Sequence, residues 1–315
     1  MSPSPIQEPE RIEVPAGGTM MSAAVWGAPG STPVILLHGM PTNALIWRRI
    51  GPTLSAEGFR AFAPDLLGYG KSGDPTSGKF GVADQARYLY QFVSGLGLKD
   101  AIVLGHDIGG GVGQQLAVSH PELVIGLILV NTVTERNWPP LIVRASRTQP
   151  FAALGSLLES VFGFPRLLAR LVRSATRHPA RLTQQMIEAY AAPIESRGGA
   201  SRLAHLAADL SSNDTVGLTA KLAALPMPKL IVWGADDPYL KVASGRKLAS
   251  ELPGSTFVEI PNCGHFVPEE EPFALAEAVL PFLRERLPER QERATGRLRR
   301  TGEFPKLEST DPGEE

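Results

Sequence analysis

Short apolar runs alternate with helix-like patterns through most of the chain. Uninterrupted runs such as Val34–Leu37 are typical of strands that are covered on both faces. Met20–Trp26 is a weaker candidate for a preceding edge strand. Alternation of this kind predicts an α/β fold, with a mostly parallel sheet wrapped by helices. The strand-like runs are Val34–Leu37, Ala61–Pro64, Ile102–Gly105, Leu127–Asn131, Leu230–Gly234 and Phe257–Pro261, and the helical patterns include Asp84–Gly97, Gly109–His120 and Pro272–Leu287.

The alternation stops after Asn131. Residues 133–225 have helical periodicity rich in Leu, Ala and Arg, so we expect a helical cap inserted between two core segments, residues 16–132 and 226–288. The most apolar part of the cap, Phe151–Val172, fits a lid helix packed on the core or a membrane-surface helix. Pro165 and two glycines interrupt it, which favours the lid. Residues 1–15 and the charged tail 289–315 are predicted to be disordered.

Composition excludes several classes of protein. A formal net charge of −1 argues against a nucleic-acid partner, and the single cysteine, Cys263, permits no intrachain disulfide. The N-terminal residues resemble neither a signal peptide nor a transit peptide, and no run approaches the roughly 18 apolar residues of a membrane span. The six histidines lack the short spacings of a metal site. We therefore expect a soluble cytoplasmic protein without a membrane partner; oligomeric state is not predicted.

A G-x-D-x-G motif from Gly105 to Gly109 stands where a predicted strand ends and a helix begins. A sharp strand-to-helix turn forces its central residue into a strained conformation, and small residues two before and two after it remove the clash. Asp107 therefore occupies the place of a nucleophile. It would also stand at a helix N-terminus, whose dipole favours an anion. A plain helix N-cap is the alternative role for Asp107.

Three further features favour the nucleophile. The loop from His38 to Pro41 follows a predicted strand, where a backbone N–H can stabilise an oxyanion, while His38 itself is expected to be structural. An acid, Asp236 or Asp237, follows the strand that ends at Gly234, and His265 follows the next strand. The chain order is nucleophile, acid, histidine.

The chain resembles the α/β-hydrolase family, in the branch of epoxide hydrolases and haloalkane dehalogenases. The resemblance extends from Arg11 to Leu287 and includes the turn from Pro64 to Ser72. It implies an eight-stranded, mostly parallel sheet with a helical cap after the sixth strand. It also implies Asp237 as the acid, with Asp236 less favoured and Glu135 a minor candidate. The oxyanion donors would be the backbone N–H groups of Met40 and Ile108.

An aspartate nucleophile limits the chemistry. A carboxylate with a pKa near 4 is already ionised at neutral pH. Attack on an ester carbonyl would give an anhydride, whereas attack on a saturated carbon gives a stable alkyl ester, so a small organic epoxide or alkyl halide is the expected substrate. His265, oriented by Asp237, would then activate water against the Asp107 ester. This route requires no metal or organic cofactor.

The leaving group separates the two activities. Dehalogenases of this family usually have a tryptophan after the nucleophile and an asparagine in the histidine–proline loop, where this chain has Ile108 and Met40. Epoxide hydrolases use cap tyrosines as acids, and Tyr190 is the one tyrosine of the cap, with His178 or His205 as a possible second donor. Trp138 could supply an indole N–H to a halide.

The leading hypothesis is therefore an epoxide-hydrolase-like enzyme, and a haloalkane or haloacid dehalogenase is the alternative. Two other possibilities stay open on the same fold. One is a non-catalytic ligand receptor. The other is a biosynthetic enzyme that uses His265 as a base without an ester intermediate.

Overall fold

The computed structural model describes residues 8–136 and 138–286. An eight-stranded sheet runs through it in the order β1-β2-β4-β3-β5-β6-β7-β8. In this order, each strand from β4 through β3, β5, β6 and β7 to β8 is parallel to the next. Strand β2 runs antiparallel to both of its neighbours. The mostly parallel eight-stranded sheet is confirmed. The strands are β1 Glu10–Ala16, β2 Thr19–Trp26, β3 Thr32–Leu37, β4 Phe59–Pro64, β5 Ala101–Asp107, β6 Val124–Thr132, β7 Lys229–Gly234 and β8 Thr256–Ile260.

Helices flank both faces of the sheet and fill the segment between β6 and β7. Short 3-10 turns occur at Ala44–Trp47, Pro179–Arg181 and Ser212–Asp214. The helices are α1 Ile50–Ala56, α2 Val82–Gly95, α3 Ile108–Ser119, α4 Leu141–Ser146, α5 Gln149–Phe162, α6 Phe164–Ser174, α7 Gln184–Glu195, α8 Gly199–Ala208, α9 Leu218–Ala223, α10 Val242–Glu251, α11 Val267–Glu270 and α12 Pro272–Arg286.

Two apolar clusters lie on opposite faces of the sheet. Along β3, Ile35 and Leu37 belong to one cluster and Val34 and Leu36 to the other. Successive side chains of a strand point to opposite faces, so both faces of this strand are buried. This two-sided burial is the physical reason for the uninterrupted apolar runs of the sequence.

The N-terminal part of the chain departs from expectation. Residues 10–15, predicted to be disordered, belong to β1, which pairs antiparallel with β2 from Glu10 opposite Val25 to Ala16 opposite Thr19. An edge strand buries one face only, so its sequence is half polar and tolerates the exposed Pro15. The second strand is consequently interior, and its prediction as an edge strand was wrong. Residues 1–7 and the tail 289–315 lie outside the described residues.

Between β6 and β7 the described residues form helices α4 to α9 and turns, without a strand. These helices match the expected insertion after the sixth strand. That the insertion is a separate cap domain with the boundaries given above stays a prediction. No helix in the described ranges combines the length and the apolar character needed to cross a membrane.

Candidate active site

Asp107 is the last residue of β5 and directly precedes α3. Its φ of 52° and ψ of −125° are unfavourable for a residue with a side chain. A Cβ on Gly105 would lie 2.5 Å from the carbonyl oxygen of Gly109, and a Cβ on Gly109 would lie 2.5 Å from that of Leu37. Both glycines are therefore needed for the chain to turn this tightly.

The carboxylate of Asp107 is held by backbone donors. The N–H of Met40 donates to Oδ2 at 3.0 Å, and the N–H of Ile108 forms a second hydrogen bond with the carboxylate. Burial raises the pKa of Asp107 to about 6, although the charge of His265 and the two backbone donors act in the opposite direction. The carboxylate is ionised at neutral pH and less hydrated than a surface aspartate.

Asp237 and His265 form a buried pair. The Nδ1 of His265 lies 2.8 Å from Oδ2 of Asp237, and Oδ1 of Asp237 accepts the N–H groups of Tyr239 at 2.7 Å and Leu240 at 2.9 Å. Burial opposes protonation of His265, but the charge and hydrogen bond of Asp237 and the charge of Asp107 outweigh it and raise its pKa to about 9. The charge and hydrogen bond of His265 likewise keep the pKa of Asp237 low despite burial.

Asn131, at the end of β6, contacts the acid of the Asp237–His265 pair. Its Nδ2 donates to Oδ2 of Asp237 at 2.6 Å, and its Oδ1 accepts the N–H of Gly234 at 2.9 Å. The residue has a φ of 39°, which asparagine tolerates better than most residues. It joins the ends of β6 and β7 and fixes the carboxylate of the acid. The available signal in the sequence is a polar residue that ends an apolar strand.

The other two candidate acids lie elsewhere. The carboxylate of Glu135 accepts the N–H groups of Gly217 at 3.1 Å and Thr219 at 3.3 Å, at the start of α9. Asp236 is half-exposed and lies 3.6 Å from Nε of Arg177. The pairing with His265 belongs to Asp237 instead.

Asp107 and His265 line one cavity of about 230 Å³. Residues of the insertion, in its helices and loops, supply most of the wall, and this part of the wall is apolar. Tyr239 is the one residue with a hydroxyl among the described residues that line it. The apolar wall includes Val133, Phe164, Leu167, Leu168, Leu171 and Leu203.

Tyr190, the predicted proton donor, does not line this cavity. Its hydroxyl donates to Oε1 of Glu269, which also accepts a hydrogen bond from Arg48. All three groups are buried or partly buried. The face of α7 that carries Tyr190 is turned toward the core, so this prediction is corrected: the tyrosine holds the insertion to the core.

The remaining donor candidates also serve other contacts. His205 is exposed, with its ring against Phe80 at a centroid distance of 5.4 Å, and Nε2 of His178 lies 3.8 Å from Glu271. Neither histidine lines the cavity. Trp138 does line it, but its Nε1 donates to Oγ1 of Thr215 at 2.7 Å. That indole N–H is therefore already engaged.

Tyr239 was missed from the sequence. Its ring lies edge-on to His265 at a centroid distance of 5.7 Å. Among the described residues its hydroxyl has only long contacts, at 3.4 Å to Oγ of Ser174 and at 3.4 Å to the carbonyl oxygen of Leu171. Its place two residues after Asp237 was the available signal, because the loop that positions the acid must run beside the histidine.

His38 makes the contacts of a structural residue. Its buried Nε2 accepts the N–H of Leu66 at 2.9 Å, so the proton resides on Nδ1, which donates to the carbonyl oxygen of Gly39 at 2.9 Å. Both ring nitrogens are thus satisfied within the loop that carries Met40. The ring fixes that loop against the turn after β4.

Residues 32–272 match the model of the alpha/beta hydrolase fold family. The chain belongs to this family. Its topology and the turn at Asp107 are those that the resemblance implied, and hydrolases named among its relatives support the prediction of an α/β-fold enzyme in the dehalogenase and epoxide hydrolase branch.

Three similar proteins illustrate the range of activities around this α/β hydrolase. A haloalkane dehalogenase of Mesorhizobium japonicum is 28% identical over 301 residues, which cover 90% of this chain and 94% of that protein. A 2-hydroxymuconate semialdehyde hydrolase of Pseudomonas putida is 28% identical over 271 residues, 80% of this chain and 87% of that protein. The structure of the epoxide hydrolase CorEH without ligand has a TM-score of 0.72 and 26% identity, covering 88% of this chain and 99% of that chain.

The structural role of Tyr190 can be tested with Tyr190→Phe. Removing the hydroxyl leaves the buried Glu269 without one donor, so the free energy of unfolding should fall by roughly 2 kcal/mol. Urea denaturation followed by circular dichroism measures the loss. Turnover should stay within about threefold of the wild type because the ring lies outside the cavity. A large fall in turnover with unchanged stability would restore Tyr190 as a proton donor.

Proposed function

We propose that this α/β hydrolase opens epoxides to diols through a covalent alkyl ester on Asp107. The observation that carries the proposal is an ionisable carboxylate at the strained turn, which shares an apolar cavity with a histidine paired to Asp237. A carboxylate in this position forms a stable ester with a saturated carbon. Asp107 is the proposed nucleophile, Asp237 the orienting acid and His265 the proposed base.

In the first step an oxygen of Asp107 attacks a ring carbon of the epoxide, and the bond from that carbon to the ring oxygen breaks. The leaving oxygen develops negative charge and needs a proton. Tyr239 is the proposed donor, because its hydroxyl is weakly engaged and its ring lies beside His265. The phenolate that remains can recover its proton from the protonated His265.

Ester formation prepares the second step. It removes the negative charge of Asp107, which is one of the influences that keep His265 protonated. The neutral imidazole then takes a proton from water, and the hydroxide attacks Cγ of Asp107. The N–H groups of Met40 and Ile108 would hold the oxyanion. The water oxygen stays on Asp107, one of its protons stays on His265 and the other leaves with the diol.

Dehalogenation is the second candidate, favoured by the haloalkane dehalogenase among the relatives. Two features rank it below epoxide opening. The side chains of Ile108 and Met40 have no N–H to offer a halide, and the indole N–H of Trp138 already donates to Thr215. A halide would therefore leave without the side-chain donors that stabilise it, whereas an alkoxide has Tyr239.

The ester is tested by a single turnover of styrene oxide in water labelled with ¹⁸O. We expect the label in the carboxylate of Asp107, found by mass spectrometry of the peptide that contains it. In His265→Gln the ester should persist, so the intact protein should gain the mass of the substrate while turnover falls by at least about a thousandfold. Asp236→Asn is a control that should stay active, because Asp236 is half-exposed and His265 pairs with Asp237 instead. Absence of label from Asp107 would exclude the ester route.

Tyr239→Phe tests the leaving-group acid. Loss of the hydroxyl should lower kcat for styrene oxide by about a hundredfold or more, the usual contribution of a general acid. Turnover of a bromoalkane, whose leaving group needs no proton, should change little. The readout is the ratio of the two activities, which a merely structural defect would not shift. Equal losses on both substrates would remove Tyr239 from this role.

The pKa of Asp107 predicts a pH dependence for ester formation. The carboxylate is the nucleophile, so its protonated form is inactive, and the rate should fall as the pH drops through about 6. Stopped-flow measurement of the pre-steady-state phase isolates this step from ester hydrolysis. A rate that stays constant down to the pKa of an ordinary aspartate, near 4, would contradict the effect of burial on Asp107.

A further inference from the structure

Helix α5 carries an apolar face that the rest of the described chain leaves uncovered. Leu157 and Val161 are 62% and 66% exposed, and with Leu154 and Leu158 they follow the i, i+3, i+4, i+7 spacing of one helix face. Phe162 extends the same face. Five of the ten large hydrophobic residues that are exposed in the described chain therefore lie on this one helix. Concentration of this kind marks an interaction surface rather than scattered exposure.

The opposite side of α5 is already occupied. Oε2 of Glu159 accepts the N–H of Ala200 at 2.9 Å, at the start of α8, and a Cβ on Gly155 would lie 3.5 Å from that of Ala200. These contacts fix the rotation of the helix about its axis. The apolar face points outward because the inner contacts are polar and small.

The segment that contains this face is rich in basic residues. Residues 136–181 contain eight arginines and one acid, Glu159, whereas the whole chain has a formal net charge of −1. Nη1 of Arg166 donates to the carbonyl oxygen of Phe162 at 3.4 Å, which places it at the end of the apolar face. Arg144, Arg166 and Arg170 are exposed, and in the described ranges none has a carboxylate within ion-pair distance. Positive charge is therefore available to an anionic partner.

We propose that the outer face of α5, with Arg144, Arg166 and Arg170, docks on a bilayer surface that contains anionic lipid. Apolar side chains would enter the acyl boundary while the arginines meet the headgroups. A second copy of this chain fits less well, since a two-fold contact would bring the same basic cluster against itself. The sequence favoured a lid over a membrane-surface helix for Phe151–Val172, and the structure divides this segment between two helices. Helix α6 has the position of a lid, with Leu167 and Leu171 in the cavity wall. Helix α5 is the one for which we propose the membrane-surface role.

Sedimentation of the full chain with sucrose-loaded vesicles tests the docking independently of any catalytic activity. We expect binding to vesicles of phosphatidylcholine mixed with phosphatidylglycerol at low salt, and much less to phosphatidylcholine alone or at high salt. Arg166→Gln and Arg170→Gln should each weaken binding by about fivefold. The double variant Leu157→Glu/Val161→Glu should weaken it by at least about tenfold.

The matched control is Phe273→Glu on α12, because Phe273 is 78% exposed and lies outside the insertion. It should bind vesicles as the wild type does, and all variants should keep the wild-type melting temperature because the changed side chains are exposed. Failure of the wild type to bind anionic vesicles, or equal binding by Leu157→Glu/Val161→Glu, would overturn the proposal. The proposal would also be overturned if the wild type binds no vesicles and gel filtration shows that it is a dimer which dissociates in the double variant.

Discussion

One strained backbone turn, at Asp107, determines where the groups around it can lie. Holding a residue at a positive φ costs about 1–3 kcal/mol, which the surrounding packing must offset. The hydroxyl of Thr132 donates to the carbonyl oxygen of Asp107 at 3.2 Å, while a Cβ on Gly39 would lie 2.5 Å from Oδ2. Because the loop after β3 approaches so closely, the N–H of Met40 reaches the carboxylate directly. A larger residue at position 39 would separate the carboxylate of Asp107 from the N–H of Met40.

The electrostatics of the site follow from that closeness. Asp107, His265 and Asp237 alternate in charge in a region from which water is largely excluded, so each charge depends on the other two. The influence that keeps Asp107 ionised is the same one that keeps His265 protonated. Under the proposed reaction, alkylation of Asp107 cancels one charge and thereby releases the base for the second step. No conformational change is needed to convert the site from one task to the other.

What could be predicted from the sequence reflects how local each constraint is. Some constraints involve only neighbours within a few residues, and these can be recognised in the sequence. They are the turn at Asp107, the acid after β7 and the histidine after β8. The role of Tyr190 depends on the rotation of α7 and on Glu269, 79 residues away, which helical periodicity does not specify. Tyr239 lies in a loop whose path is set by Asp237, and β1 escaped notice because an edge strand is half polar.

The insertion also shows why apolar content alone does not reveal burial. In α6 the apolar side faces the cavity and the arginines face outward, whereas α5 has small and polar inner contacts and an apolar outer face. A cavity with so few polar groups selects for apolar substrates, and such molecules partition into lipid. If α5 docks as proposed, the outer surface of the insertion rests on the phase where an apolar substrate concentrates, and the inner surface encloses Asp107, the proposed nucleophile. The preference of an apolar substrate for apolar surroundings then accounts for both the apolar cavity wall and the apolar outer face of α5.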